Sequence, residues 1–177
     1  MISKSVLSAA IFGTALAVSG ISSAQQPPQK PNPFDVVPDQ MPFDVPYGAP
    51  ISLERADTAL AAAVADSKKR NWKLNCAVVD SGANLVSFKR MDGAQLGSIA
   101  IAEHKARAAA KYRRETKLFE NGVQAGVTYL LTLDDVIASR GGIPIVEGGK
   151  IIGAIGCSGG TGSQDEVVAK AGVAAVK

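Results

Sequence analysis

Eight of the chain's nine prolines fall between Gln25 and Pro50, at Pro27, Pro28, Pro31, Pro33, Pro38, Pro42, Pro46 and Pro50. Proline lacks a backbone donor and is excluded from helix interiors and central strands. The stretch from residue 25 to residue 50 therefore predicts an extended, mostly disordered arm. Regular structure is expected from Ile51 onward. Phe34, Met41, Phe43 and Tyr47 punctuate the arm, and such side chains suit contact with a partner subunit.

The segment before the arm has the composition of a secretory leader. Lys4 and the amino terminus supply the positive charge, an apolar run follows from Val6 to Val18, and Ser22-Ser23-Ala24 offers a small-residue cleavage site. The run falls short of the roughly 20 residues that a membrane-spanning helix needs. Residues 1–24 are expected to be removed on export to the periplasm or the exterior, leaving no membrane span. No cysteine follows the apolar run, which argues against a lipid anchor.

What remains, residues 51–177, has the length of one domain. Ser52 can cap a helix from Leu53 to Arg70, with Leu53, Ala56, Leu60, Ala63, Val64 and Ser67 on one face. Leu74 to Asp80 and Leu85 to Arg90 read as a hairpin around Ser81-Gly82-Ala83-Asn84. Ser98 to Arg113 reads as a second, alanine-rich helix. Arg114 to Ser139 is broken by Asn121-Gly122 and Gly126 and predicts short helices. One of them is expected to start at the capping-box pattern Thr132-Leu133-Asp134-Asp135. Ile143 to Val146 and Ile151 to Cys157 flank the tight turn Glu147-Gly148-Gly149-Lys150. Ser163-Gln164-Asp165-Glu166 predicts a capping box for a last helix. The order helix, hairpin, helices, hairpin, helix implies an α+β fold, an antiparallel sheet packed by helices.

The net charge is +3, falling to +2 when Lys4 leaves with the leader. That balance does not indicate a nucleic-acid partner. The basic clusters Lys68-Lys69-Arg70 and Lys105 to Arg114 lie on predicted helices and read as solvated faces. The two cysteines, Cys76 and Cys157, lie in separate apolar runs with no Cys-x-x-Cys spacing. A zinc site or covalent haem attachment is therefore not indicated.

Four segments, taken together, resemble a known family. They are Cys76-Ala77-Val78-Val79-Asp80-Ser81-Gly82-Ala83-Asn84-Leu85-Val86; Lys89-Arg90-Met91-Asp92-Gly93-Ala94; Gly141-Gly142-Ile143-Pro144-Ile145; and Ile151 to Gly160 with Asp165-Glu166 after it. In this order they resemble the GlcG/HbpS-like haem-binding family, which includes the C-terminal domain of PduO-type proteins. The resemblance covers residues 51–177. It implies a profilin-like fold with a sheet of four to five strands, assembly into homo-oligomers, and binding of haem or a related tetrapyrrole. It also implies that the first and last strands are neighbours. Cys76 and Cys157 are then expected close together if those strands run antiparallel, within reach of a disulfide, with buried free thiols favoured over the bond.

His104, the only histidine, is the candidate metal ligand, because neutral imidazole commonly binds transition metals. As a lone helical histidine it also has a plain structural reading. Arg90, Met91, Asp92 and Gly93 end the first hairpin. Gly93 lets backbone approach a ligand, and Arg90 could pair with a propionate; a simple turn is the alternative. Gly141 and Gly142 precede a strand, and Gly159 and Gly160 lead into a helix. They form either a pocket wall or ordinary turns. No Ser-His-Asp set and no nucleophile elbow is present, so no catalytic residues are assigned. Three functions stay open: a haem-binding or haem-sensing exported protein, an enzyme acting on a small organic molecule, and an oligomeric binding protein without chemistry.

Overall fold

The computed structural model describes residues 36–176. The expected leader, residues 1–24, and the start of the arm lie outside the described residues. The elements are α1 (Leu53–Lys69), β1 (Asn75–Asp80), β2 (Leu85–Arg90), α2 (Ser98–Lys111), α3 (Lys117–Gln124), a 3₁₀ turn (Thr128–Thr132), β3 (Gly142–Glu147), β4 (Lys150–Ser158) and α4 (Gly162–Ala174).

The four strands form one antiparallel sheet in the order β2-β1-β4-β3. Strand side chains alternate between faces, and both faces of the central strands are buried. On one face Cys76, Val78, Ile155 and Cys157 pack against Ala56, Leu60 and Ala63 of α1 and Val168, Ala169 and Val173 of α4. On the other, Ala77, Val79 and Ala154 meet Ala106, Ala109 and Ala110 of α2. Small residues let α2 lie directly on the sheet. A Cβ at Gly156 would come within 2.2 Å of the Ala102 carbonyl oxygen, so any larger residue there would push helix and sheet apart. Pro144 sits in β3, an edge strand, where a missing donor is tolerated.

The predicted elements appear close to their expected bounds, and Ser52 caps α1 by accepting from the Arg55 amide. Two expectations about helix starts need correction. No helix starts at Thr132-Leu133-Asp134-Asp135. The Thr132 hydroxyl donates back to the Tyr129 carbonyl, and Asp135 adopts a φ of 59° with its carboxylate held by Lys111. The groups that would have capped a helix are already engaged. The last helix starts earlier than Ser163 suggests. Thr161 is its N-cap, and its hydroxyl and the Gln164 side chain bond reciprocally to each other's backbone amides.

Cys76 and Cys157 stand directly opposite each other on β1 and β4, with Cα atoms 4.2 Å apart. The predicted pairing of first and last strands is correct. The expectation of free thiols is not, because the two are joined in a disulfide. The register brings them to the close spacing of an antiparallel pair, which lies near the range a disulfide spans.

The end of the proline-rich stretch is tied to the domain. Where β1 stops short of the start of β4, the Ile151 amide donates to the Pro46 carbonyl and the Gly48 amide donates to the Ile151 carbonyl. The Tyr47 hydroxyl donates to the Lys111 carbonyl at 2.8 Å, at the C-terminus of α2, satisfying an acceptor that a helix end leaves open.

Candidate functional site

The register places four loops at one end of the sheet. Asn75 opens β1 opposite Arg90, the last residue of β2, and opposite Ser158, the last residue of β4. Gly141, just before β3, accepts from the Cys157 amide. The Lys73-Leu74 entry, the Met91–Gly97 loop, the Gly159–Thr161 turn and the Arg140-Gly141 turn therefore share one edge.

A cleft of about 390 Å³ opens at the β1–β2 side of this end. Lys68 reaches it from α1, Trp72 and Lys73 from the turn after α1, and Lys89, Arg90, Met91 and Asp92 from the end of β2. Trp72 is half-buried against the core, with the Arg70 guanidinium 5.1 Å from its ring centroid. The Met91 amide donates to the Leu74 carbonyl, which fixes where the loop leaves the strand. Gly93 has a φ of +74°, and a Cβ there would press on the Lys73 side chain at 3.2 Å. Glycine thus permits both the turn and the approach of the loop to Lys73.

The cleft is electropositive. Lys68, Lys73 and Arg90 have no carboxylate partner among the described residues, and Lys89 has only a 3.7 Å contact with Asp57. Asp92 is the one acid in the lining among the described residues. Such a set favours an anionic ligand, and lysine and arginine donors make charge-assisted hydrogen bonds to carboxylates.

The other basic groups at this end are neutralised. Lys105 of α2 is fully buried, with 1% of its side chain exposed, and lies 2.8 Å from the Asp165 carboxylate at the start of α4. This corrects the reading of Lys105 as part of a solvated face. Burial outweighs the pull of Lys105 and of the Gly160 and Gly159 amides and holds the Asp165 carboxyl above its usual range. The Gly160 amide donates to the second carboxylate oxygen at 3.0 Å. Beside the pair, Arg140 bonds to Glu120 and approaches Glu166, and Glu166 also accepts from Lys117 and Lys170. The Arg140 hydrogen bond holds Glu120 below the usual carboxylate range. Burial would raise Glu166, but the bonds from Lys170 and Lys117 outweigh it and hold it low.

The candidate residues from the sequence divide into three groups. Arg90, Met91, Asp92 and Gly93 border the cleft, and Gly159 abuts its floor, since a Cβ there would meet the Lys73 carbonyl at 2.5 Å. Gly141, Gly142 and Gly160 gather around the Lys105–Asp165 pair. A Cβ on Gly141 would meet Asp165, and one on Gly142 would meet the Lys105 carbonyl. His104 stands apart. It lies on α2 away from the sheet-facing alanines, within the electrostatic reach of Asp135. The sheet separates it from the α1 side, where Lys68 and Trp72 line the cleft. Its Nε2 is buried without a hydrogen-bond partner. The described residues contain no cluster of three or more His, Cys, Asp or Glu side chains placed to hold a metal ion.

Sequence reasoning missed Trp72, Lys73 and the Lys105–Asp165 pair. Lys105 carried a signal. It stands within the stripe Ala102, Ala106 and Ala109 at helical spacing, so the face it shares is the buried one.

Comparison with known proteins agrees with the fold and the motifs. Protein GlcG of Escherichia coli K12 is 41% identical over 108 residues, spanning 61% of this chain and 81% of its own length. A crystal structure of Streptomyces reticuli HbpS superposes with a TM-score of 0.69 at 28% identity, covering 80% of this chain and 97% of the other. A PduOC–haem complex superposes with a TM-score of 0.67 at 26% identity, covering 73% and 96%. The family model described as "Haem degrading protein HbpS-like" matches residues 51–174, and the chain belongs to that HbpS-like family.

Proposed function

We propose that this protein is exported, binds haem or a related tetrapyrrole, and uses the cleft between α1 and the end of β2 to hold the ligand's acid groups. One observation carries the reading: the cleft collects four basic side chains beside Trp72, and three of them lack a carboxylate partner among the described residues. Two propionates match that unspent charge. The PduOC–haem complex supports the ligand class.

The residues fit such a group in part. Lys73, Arg90 and Lys89 supply donors for propionates, Trp72 supplies an aromatic wall, and the Met91 thioether is a recognised haem-iron ligand. Haem, when bound, supplies iron redox chemistry. The protein's share is to orient it through the acid groups and to keep Asp92 at the rim. His104, across the sheet, belongs to no common site with Arg90 within one subunit.

Two observations favour an oxidising compartment. The Met1–Ala24 sequence has a leader's composition, and Cys76–Cys157 is a structural disulfide of the kind kept outside the cytosol. No helix among the described residues is long and apolar enough to cross a membrane. We further propose homo-oligomers, for which the exposed Val37 and Met41 of the arm offer apolar contacts, whereas Phe43 and Tyr47 pack on their own chain. Titration of the purified protein with haemin tests the ligand. A saturable Soret shift near one haem per chain is expected, and its absence would overturn the assignment.

A further inference from the structure

A second hollow, of about 420 Å³, lies beyond the C-terminus of α2, against α3. Leu118, Phe119 and Gly122 of α3, Ala125, Leu130 and Phe43 of the arm give it apolar walls, and Arg114 is the only charged residue lining it among the described residues. The volume falls within the range of small-molecule sites.

Arg114 is held as a donor facing apolar surroundings. Its Nε donates to the Tyr112 carbonyl at 2.9 Å. Its guanidinium lies 3.6 Å from the Phe43 ring centroid and 5.5 Å from that of Phe119. The neighbouring charges are spoken for, Arg113 by Asp44 and Glu115 by Lys170. Arg114 has no carboxylate partner among the described residues. Burial and the nearby Arg113 charge hold its pKa below the usual arginine value. A half-buried cation without a counter-charge is costly unless something anionic completes it.

We propose that this hollow binds a small hydrophobic monocarboxylate, with its apolar body between Phe43, Phe119 and Leu130 and its carboxylate on the terminal nitrogens of Arg114. Aromatic stacking pre-orients the guanidinium, so its free edge can accept a carboxylate in bidentate geometry. Among the described residues no acid lines the hollow to repel the ligand. This inference does not rest on the haem reading, since the two clefts share no residue.

Calorimetry on the full-length chain with octanoate, acetate and 1-octanol tests it. Octanoate should bind saturably, while acetate and 1-octanol, each lacking one half of the recognition, should bind about tenfold more weakly or not at all. Arg114→Met should reduce octanoate affinity by about tenfold or more. Leu118→Trp, which narrows the hollow and leaves the charge in place, should also abolish binding. It keeps the test decisive if Arg114→Met fails to fold. Equal binding of octanoate and 1-octanol would overturn the proposal. So would octanoate binding that survives both substitutions. A concentration-dependent dimer that Leu118→Trp disrupts and octanoate leaves intact would instead make the hollow a subunit contact, and would also overturn it.

Discussion

Two groups of basic side chains sit at the same end of the sheet and behave in opposite ways. Around the start of α4, Lys105, Lys117, Arg140 and Lys170 each meet a carboxylate, and the innermost, Lys105 with Asp165, is sealed from solvent. At the β1–β2 side, Lys68, Lys73 and Arg90 line an open cleft with no such partner among the described residues. Both groups are cationic, and the location of their counter-charge distinguishes them. Where the chain supplies it, the cations clamp α2, α3 and α4 together. Where it does not, the charge is left for a ligand. The contrast also explains the glycines. Gly141, Gly142 and Gly160 pack the neutralised region closely, whereas Gly93 brings a loop against Lys73 at the open one.

The sharpest way to break this contrast is at Lys105. Lys105→Met leaves Asp165 buried without its partner and should cost about 3–5 kcal/mol of stability in urea unfolding. Combining it with Asp165→Leu should recover a large part of that loss. A single variant as stable as wild type would remove the structural role. Removing the disulfide comes next. Cys76→Ala with Cys157→Ala opens a cross-link spanning 81 positions of sequence and should cost about 3 kcal/mol, read by comparing thermal unfolding of the variant and the oxidised protein.

Acid acts on the same paired region. The Arg140 hydrogen bond holds Glu120 low, the Lys111 hydrogen bond does the same for Asp135, and the Lys170 and Lys117 bonds hold Glu166 low against burial. A carboxyl whose folded pKa lies below its unfolded value contributes stability that is present above the unfolded pKa. That contribution is lost as pH falls through the folded value. The stability that these three carboxylates contribute should therefore decline below about pH 5, while Asp165, held above its usual range by burial, works in the opposite sense. Glu120→Gln should flatten part of that slope, and an unchanged slope would exclude Glu120 as a contributor. The smallest effect is expected in the open cleft. Lys73→Met and Arg90→Met should each change stability by no more than about 0.5 kcal/mol, because neither ends a network. A large loss at either position would place these cations in the clamp.

Much of the fold was legible because its signals are local. The hairpin turns, the small-residue face of α2 and the Ser52 cap all act within a few residues, and the α+β layering follows from their order. Features that depend on distant partners were harder to read. Thr132-Leu133-Asp134-Asp135 has the pattern of a cap, yet Lys111 claims Asp135 from another helix. The adjacency of Cys76 and Cys157 followed from the strand arrangement that the family resemblance implies, while the bond between them depends on the register that sets their 4.2 Å spacing. The site was half visible. Arg90 to Gly93 ends a strand at a loop, which marked it. Trp72 and Lys73 lie in the turn after α1, and only the closing of the hairpin end over them makes a cleft. His104 drew attention as the lone imidazole, and helical periodicity gave no sign of which side of α2 faces the site.

Haemin titration of three proteins tests the central claim directly: wild type, the triple variant Lys68→Met/Lys73→Met/Arg90→Met, and His104→Ala. The account predicts a Soret shift for wild type, haemin affinity about tenfold weaker or worse for the triple variant, and an unchanged affinity for His104→Ala. A triple variant that binds haemin as wild type does, with the Soret shift lost in His104→Ala, would contradict it.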